Sequence, residues 1–465
     1  MRKWWPLVAI CLGNFILLID VTIVNVALPR IADTLHADLG TVQWVLDGYA
    51  VALAALLLTA GSLADLHGRR RLYLSGLVLF TLASVACGCA PTTGLLIAGR
   101  VVQGVGGAAM FATSAALLTH AFHGRDRGVA FGVWGAVNGG AAALGPLLGG
   151  VITESVSWRW IFLVNVPIAV VGYAMVTRLI TESHGNRGGR VDWAGGLTFT
   201  VGVAALTWAL IRGGWTDQVT LGLLVVAVLA LAAFGVLQAR RPDPMLPLAL
   251  LRNRSFAGLM AGGLVLQGAA FSHLVFTSLW LQHVLHLGPV AAGLAGSMPL
   301  SVVAFLTSGL VGRHLHGVAP QLPVTVGLLL VGLGVTLQSV IGASSSWPVL
   351  LPGLLVSGLG VGIAMPVLAS APLAVATPRQ AGVAGATANT FRQLGFALGV
   401  AALGTLFSDR LTALAAAGPQ VAFTGALGRI YLVTGIVAAL GAVVVAAMVR
   451  KPHEATEPER VSAAA

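Results

Sequence analysis

Charge is the scarcest property of this chain. Only 9% of its 465 residues are charged, against about 25% in ordinary soluble domains. By contrast 57% are hydrophobic and the mean hydropathy is +0.92. A water-soluble fold is excluded on that ground. Cysteine is almost missing as well. Cys11, Cys87 and Cys89 all fall in apolar runs, and Cys87 and Cys89 would point to different faces of a helix, so they cannot jointly hold a metal. All three read as small packing residues. The chain lacks a G-x-x-x-x-G-K-[ST] phosphate loop, which leaves ATP drive unsupported. It also lacks metal-ligand spacing and any nucleophile constellation, so no metal, cofactor or enzymatic activity is expected. Lysine occurs only at Lys3 and Lys451, and no acid lies within the apolar runs between about 255 and 400.

Fourteen apolar runs of membrane-spanning length are present instead, bounded by charge, proline or glycine. They cover approximately 6–28, 43–64, 72–90, 94–118, 129–152, 160–180, 192–211, 218–239, 255–282, 288–311, 321–342, 347–371, 380–407 and 425–449. An even number of crossings puts both termini on one side. Placing them in the cytoplasm leaves 19 Lys/Arg inside and five outside, with Arg100 and Arg392 in helices. That asymmetry follows the rule that positive loops stay cytoplasmic. It also accounts for the net charge of +11 without a nucleic-acid partner. The first run follows Met1-Arg2-Lys3 like a signal peptide, but Gly13, Asn14 and Asp20 interrupt it and no convincing cleavage site follows. It reads as a retained first helix.

Polar residues inside these runs are the candidate machinery. Asp20 sits in Ile19-Asp20-Val21-Thr22-Ile23-Val24-Asn25, and an acid within a membrane span is a functional hypothesis by default. Arg100, Gln103, Gly104 and Gly107 share one face of the fourth run. Asp20 and Arg100 lie at depths differing by only about 3 Å, so they can pair if their helices are neighbours. Burial favours a neutral acid and a nearby guanidinium favours the carboxylate, so Asp20 would change protonation as its distance from Arg100 changes. Asp47 is expected near the outer end of the second run, at the membrane interface or on the route of protons or cationic substrate. The stretch Gly61-Ser62-Leu63-Ala64-Asp65-Leu66-His67-Gly68-Arg69-Arg70-Arg71 separates runs two and three. Its glycines permit a tight turn, and its arginines belong on the cytoplasmic side. In the fifth run Gly135, Gly139, Ala142, Pro146 and Gly149 form a small-residue seam, ending in Gly145-Pro146-Leu147-Leu148-Gly149-Gly150, where proline is expected to bend the helix.

These stretches carry a resemblance. The G-x-L-A-D-x-x-G-R-[RK] pattern at 61–71 resembles the loop between helices two and three of major facilitator superfamily transporters. Arg100 to Gly107 resembles the superfamily's fourth-helix motif, whose arginine is associated with proton coupling. Gly145 to Gly150 resembles the fifth-helix motif of its antiporters. The Asp20 run, Trp158-Arg159-Trp160-Ile161-Phe162-Leu163-Val164-Asn165-Val166-Pro167, and Asn389-Thr390-Phe391-Arg392-Gln393-Leu394-Gly395 look like signatures of its fourteen-helix drug:proton antiporters. The tryptophans at 158 and 160 suit an interfacial belt.

The resemblance implies an all-α polytopic membrane protein: a six-helix bundle at 1–184, a cytoplasmic link and two extra helices at 185–250, a second bundle at 251–450 and a cytoplasmic tail at 451–465. It implies a proton-coupled exporter of lipophilic, cationic or amphiphilic drug-like molecules in the cytoplasmic membrane, acting as a monomer without a cofactor. Proton coupling is assigned to Asp20, Arg100 and Asp47, and gating to Gly61, Asp65, Gly68, Arg69 and Arg70. The antiporter seam is Gly139, Gly145, Pro146, Gly149 and Gly150. The substrate cavity is assigned to Asn25, Gln103, Asn138, Gln267, Asn389 and Arg392. Some relatives use a second-half acid for multivalent cations, and its absence here puts divalent substrates in doubt. A dedicated exporter of one self-made antibiotic is the nearest alternative, and a membrane sensor or enzyme the alternative of another class.

Overall fold

A computed structural model describes residues 2–184, 192–241, 244–246, 248–314, 318–376 and 381–449. The described chain is helical throughout. Helices α1 (Trp5–Leu35), α2 (Leu39–His67), α3 (Arg69–Gly88), α4 (Thr93–Ala121) and α5 (Gly124–Ser155) come first. The short α6 (Trp160–Leu163) runs into α7 (Asn165–Leu179), and α8 (Trp193–Arg212) and α9 (Gln218–Arg240) form a hairpin. Then come α10 (Leu248–Arg252), α11 (Arg254–Phe271), α12 (His273–His283), α13 (Pro289–Gly296) and α14 (Met298–His314). Helices α15 (Gln321–Leu337), α16 (Leu351–Val375), α17 (Ala381–Ala413) and α18 (Pro419–Met448) complete the order.

Twelve described stretches are long and apolar enough to cross a membrane, and α13 with α14, bent by 43° at their break, makes a thirteenth. The remaining expected crossing, 129–152, lies within α5, which is 32 residues long. The link at 185–191 and the tail from 450, with His453, lie outside the described residues. Two expected spans are interrupted at one residue, the first still counting as a single crossing and the second bent. The run at 255–282 divides at Ser272, whose hydroxyl donates to the Phe396 carbonyl at 3.1 Å, and the run at 288–311 divides at Ser297. Helix α5 continues through Pro146, so proline there does not end the helix.

Local chemistry sets several helix starts. Asp38 caps α2, its carboxylate accepting from the Thr41 amide at 2.8 Å and the Thr41 hydroxyl at 2.9 Å. Those bonds hold the Asp38 carboxyl below its ordinary range. Thr92 caps α4 and Asn253 caps α11 in the same way. With the starts fixed, the apolar surface decides the packing. Helices α2 and α3 lie along α4, α1 lies along α5, and α15 packs between α16 and α18. Val225, Val228 and Leu229 of α9 face outward, as a hairpin bathed in lipid requires.

The two halves meet through α2 on α17, α1 on α12, and α5 on α13 and α14. Gln282 Nε2 donates to the Val26 carbonyl at 3.1 Å and Gln43 Nε2 to the Val400 carbonyl at 3.3 Å. Helix α8 touches both halves. Trp208 meets Trp44 of α2 edge-on with ring centroids 6.1 Å apart, and the Leu210 carbonyl accepts from Thr405 of α17.

Candidate functional site

Asp20, on α1, is fully enclosed where α1, α3, α4 and α7 converge. Its carboxylate faces Arg100 of α4 at 2.5 Å, and Asp20 and Arg100 are 0% and 1% exposed. Arg100 Nη1 also donates to Gln103 Oε1 at 2.7 Å, and its Nε to the Val45 carbonyl at 2.9 Å. Gln103 Nε2 donates to the second carboxylate oxygen of Asp20 at 3.0 Å and to the Ser84 hydroxyl at 2.8 Å. Asn165 Nδ2 donates to that same carboxylate oxygen at 3.1 Å. The guanidinium carbon lies 4.3 Å from the centre of the Tyr49 ring and 5.7 Å from that of Phe162, so aromatic faces cover what hydrogen bonds do not. A buried ion pair survives only when its remaining donors and lone pairs are matched in this way. Chemically, the node is a carboxylate that a guanidinium and a proton would compete for.

Sequence spacing anticipated Asp20 and Arg100 at matching depth but not Ser84, Asn165 or Tyr49. Asn165 lies in the tryptophan-containing stretch, which had been read as an anchor, and a serine within an apolar run gives no signal at all. That stretch is also corrected in part. Trp158 is buried while Trp160 is exposed, so only Trp160 can belong to an interfacial belt. Cys89 is likewise exposed, unlike Cys11 and Cys87, because it follows the last turn of α3.

Asp47 is 0% exposed, which corrects the interfacial reading. Its carboxylate oxygens have no hydrogen-bond partner among the described residues, and Gln43 stands one turn earlier on α2. Gln43 holds α17, so Asp47 lies near the junction of the two halves.

At the turn between α2 and α3 Gly68 has φ +106°, a conformation that side chains resist. A Cβ there would also meet the Glu182 carboxylate at 2.7 Å. Glu182 accepts from the Arg70 amide at 2.9 Å and the Arg71 amide at 3.1 Å, an anionic cap on α3 that the motif did not reveal. Asp65 bonds Arg69, four residues on, at 2.8 Å. Arg70 donates to the Val176 and Thr177 carbonyls at the end of α7. All these partners belong to the first half, so in this conformation the motif ties α2, α3 and α7 together. Removing the cap in Glu182→Ala should destabilise the protein by about 1–2 kcal/mol, the usual worth of a helix cap. Thermal unfolding in detergent measures it, and an unchanged midpoint would reduce Glu182 to a surface contact.

The fifth-helix seam faces two partners. Gly145 and Gly149 pack on Thr22 and Ile23 of α1, Gly150 on Val290 of α13, and the Pro146 carbonyl on Gly293. The side-chain surroundings of Gly135, Asn138, Gly139 and Ala142 lie outside the described ones.

The residues assigned to the cavity sit in different surroundings. Gln103 is absorbed in the buried node, whereas Asn25 has a buried, unpartnered side-chain oxygen and Gln267 is half-buried on α11. On α17, Arg392 donates to Asn389 and, at 3.7 Å, to the Met365 sulfur. His273 is a packing residue, its Nδ1 2.9 Å from the Ala269 carbonyl and its ring edge-on to Tyr431.

The sequence profile described as "Major Facilitator Superfamily" matches residues 10–400. The multidrug resistance protein Stp of Mycobacterium tuberculosis is 34% identical over 88% of this chain and 76% of its own length. The puromycin resistance protein pur8 of Streptomyces alboniger is 36% identical over 87% and 82%. The methylenomycin A resistance protein of Streptomyces coelicolor is 34% identical over 92% and 90%. Among solved structures, the human organic anion transporter MFSD10 (TETRAN) superposes with a TM-score of 0.63 over 94% of this chain and 99% of that one, at 16% identity. At that identity the likeness concerns the fold. The chain belongs to the major facilitator superfamily.

Proposed function

We propose that this protein exports lipophilic, cationic or amphiphilic drug-like molecules in exchange for protons, by alternating access between its two halves. The observation carrying the reading is the enclosed Asp20–Arg100–Gln103 node, joined by Asn165 and Ser84. The proton and Arg100 compete for one carboxylate, so loading a proton requires the guanidinium to withdraw. Asp47, buried without a partner, is the second acid available within the spans. Drug export itself is supported by relatives named for resistance to several drugs or to one antibiotic. The test is ethidium accumulation in everted membrane vesicles with an acidic interior. Accumulation should collapse when nigericin dissipates the pH gradient, and accumulation that survives would sink proton coupling.

A second reading, dedicated export of a single self-made antibiotic, is favoured by the relatives named for puromycin and methylenomycin A. A resistance panel of unrelated dyes and antibiotics separates the two, because a dedicated exporter protects against one compound class.

We further place the protein in the cytoplasmic membrane with both termini inside, its bundles at 1–184 and 251–450 and the α8–α9 pair between them. The charge asymmetry supports this orientation, which puts the end of α3 outside. Cys89 is exposed there, while Cys11 and Cys87 are buried. A membrane-impermeant maleimide should therefore label intact cells, and Cys89→Ser should remove the label. Labelling only after permeabilisation would reverse the orientation.

A further inference from the structure

The second half contains a half-buried cation with no counter-charge among the described residues. Arg392 stands 11 residues into α17, about 17 Å along its axis. Six ion pairs join described residues and none includes Arg392. None of its own half can do so within the spans, because no Asp or Glu occurs from residue 244 to residue 408. Its described partners are the Asn389 oxygen and the Met365 sulfur, so much of its fork of five N–H donors is left over. Holding even a half-buried guanidinium within a membrane span without an anion is costly. The first half shows the matched alternative in Arg100.

The direction of Arg392 follows from its neighbours on α17. Gly395 packs on Leu264 and Gly399 on Ser272, which fixes the face toward α11 and its junction with α12. Ala386 lies against Gly61, Gly404 against Gln43, and the Val400 carbonyl accepts from Gln43, which fixes the face toward α2. At about 100° per residue, Arg392 and Asn389 fall on the arc between those faces. That arc is bordered by α2 of the opposite half on one side, and Met365 and Leu373 of α16 lie along it. Gly263 leaves room for the aliphatic stem of Arg392, since a Cβ there would meet its Cγ at 3.2 Å.

We propose that Arg392, with Asn389 orienting its fork, binds an anionic oxygen group (a carboxylate or an ionised phenol) on the exported molecule. The inference rests on the export reading and adds, beside cations such as ethidium, amphiphiles that carry such a group to its substrates. A guanidinium matches a carboxylate with two parallel hydrogen bonds, and an incoming anion supplies the charge that the second half lacks. Substrate binding would thereby neutralise this unpaired cation.

The probe pair is dansylaminoundecanoic acid and its methyl ester, equal in bulk and differing in charge, followed by fluorescence on the purified full-length protein. Wild type should bind the acid roughly ten- to a hundredfold more tightly than the ester, the range for a charge-assisted hydrogen bond. Arg392→Gln should erase that preference by weakening the acid far more than the ester, and Arg392→Lys should restore part of it. Should the glutamine variant elute as aggregate, Asn389→Ala, expected to reduce the preference severalfold, takes its place. Equal binding of acid and ester to wild type overturns the proposal, as does loss of both ligands in the variant. Displacement of the acid by chloride at physiological concentration also overturns it, by showing an inorganic-anion site. Ethidium transport keeps the two readings apart. If ethidium is exported but acid and ester bind alike, this inference fails alone. If the acid preference holds but nothing moves under a pH gradient, the export reading fails instead.

Discussion

Purified Asp20→Asn protein releases no protons when ethidium is added, whereas wild type does so across several pH values; this is the largest effect expected. Asparagine nearly preserves the shape of aspartate but cannot exchange a proton in this range. It also turns an amide toward Arg100 in place of a carboxylate oxygen now 2.5 Å away. Leaving a buried charge without its partner costs about 3–5 kcal/mol, so the variant is also expected to melt earlier. Stability and coupling must therefore be read separately. Gradient-driven efflux should fall to background while downhill exchange of an uncharged drug persists. Arg100→Ala should fail differently, by shifting the pH dependence or by uncoupling. A double variant Asp20→Asn/Arg100→Gln removes both charges and should recover stability without recovering proton release. Wild-type release from Asp20→Asn would place the carrier elsewhere, with Asp47 next to be tested.

The second large effect is expected at the seam between the halves. A Cβ on Gly150 would lie 2.5 Å from the Val290 Cα and 2.6 Å from its amide nitrogen. These are backbone atoms, so no rotamer change relieves the contact and α13 has to move away. Overpacking of this kind costs about 1–3 kcal/mol, equivalent to roughly a five- to 150-fold loss in rate if it falls on the step that closes the seam. Gly150→Val should therefore cut transport by such a factor. Gly140→Val is the matched control on the same helix, since a Cβ there meets nothing within 4 Å. Equal transport by the two variants would show that the α5–α13 contact is not part of the cycle.

How much of this was legible in the sequence depends on the kind of residue. Membrane-spanning runs announce themselves because lipid demands continuous apolar helix, so nearly every element was found from hydropathy alone. Charged residues inside those runs are equally conspicuous, which is why Asp20, Arg100 and Asp47 stood out. Their partners were not. Ser84 and Asn165 are uncharged, sit on other helices, and join Asp20 only through tertiary packing. Glu182 was hidden for the opposite reason, since an acid beside a loop is unremarkable until a folded chain lays it over the start of α3. The interruptions at Ser272 and Ser297 were illegible because hydropathy measures length and apolarity but not direction. Pro146 shows only that a proline within the run does not end α5, which continues to Ser155.

Helix α1 deserves a last consideration as a transmission line. Asp20 is on it, Thr22 and Ile23 touch the α5 seam, and the Val26 carbonyl holds Gln282 of α12. Charge state, seam and interdomain contact are thus written within seven residues, less than two helical turns or about 9 Å of axis. A carboxylate that swaps its guanidinium for a proton needs no long relay to be felt by the opposite half. A small roll or slide of this one rod shifts all three contacts together, so under the proposed proton exchange its stiffness would set how tightly protons and cargo stay in step.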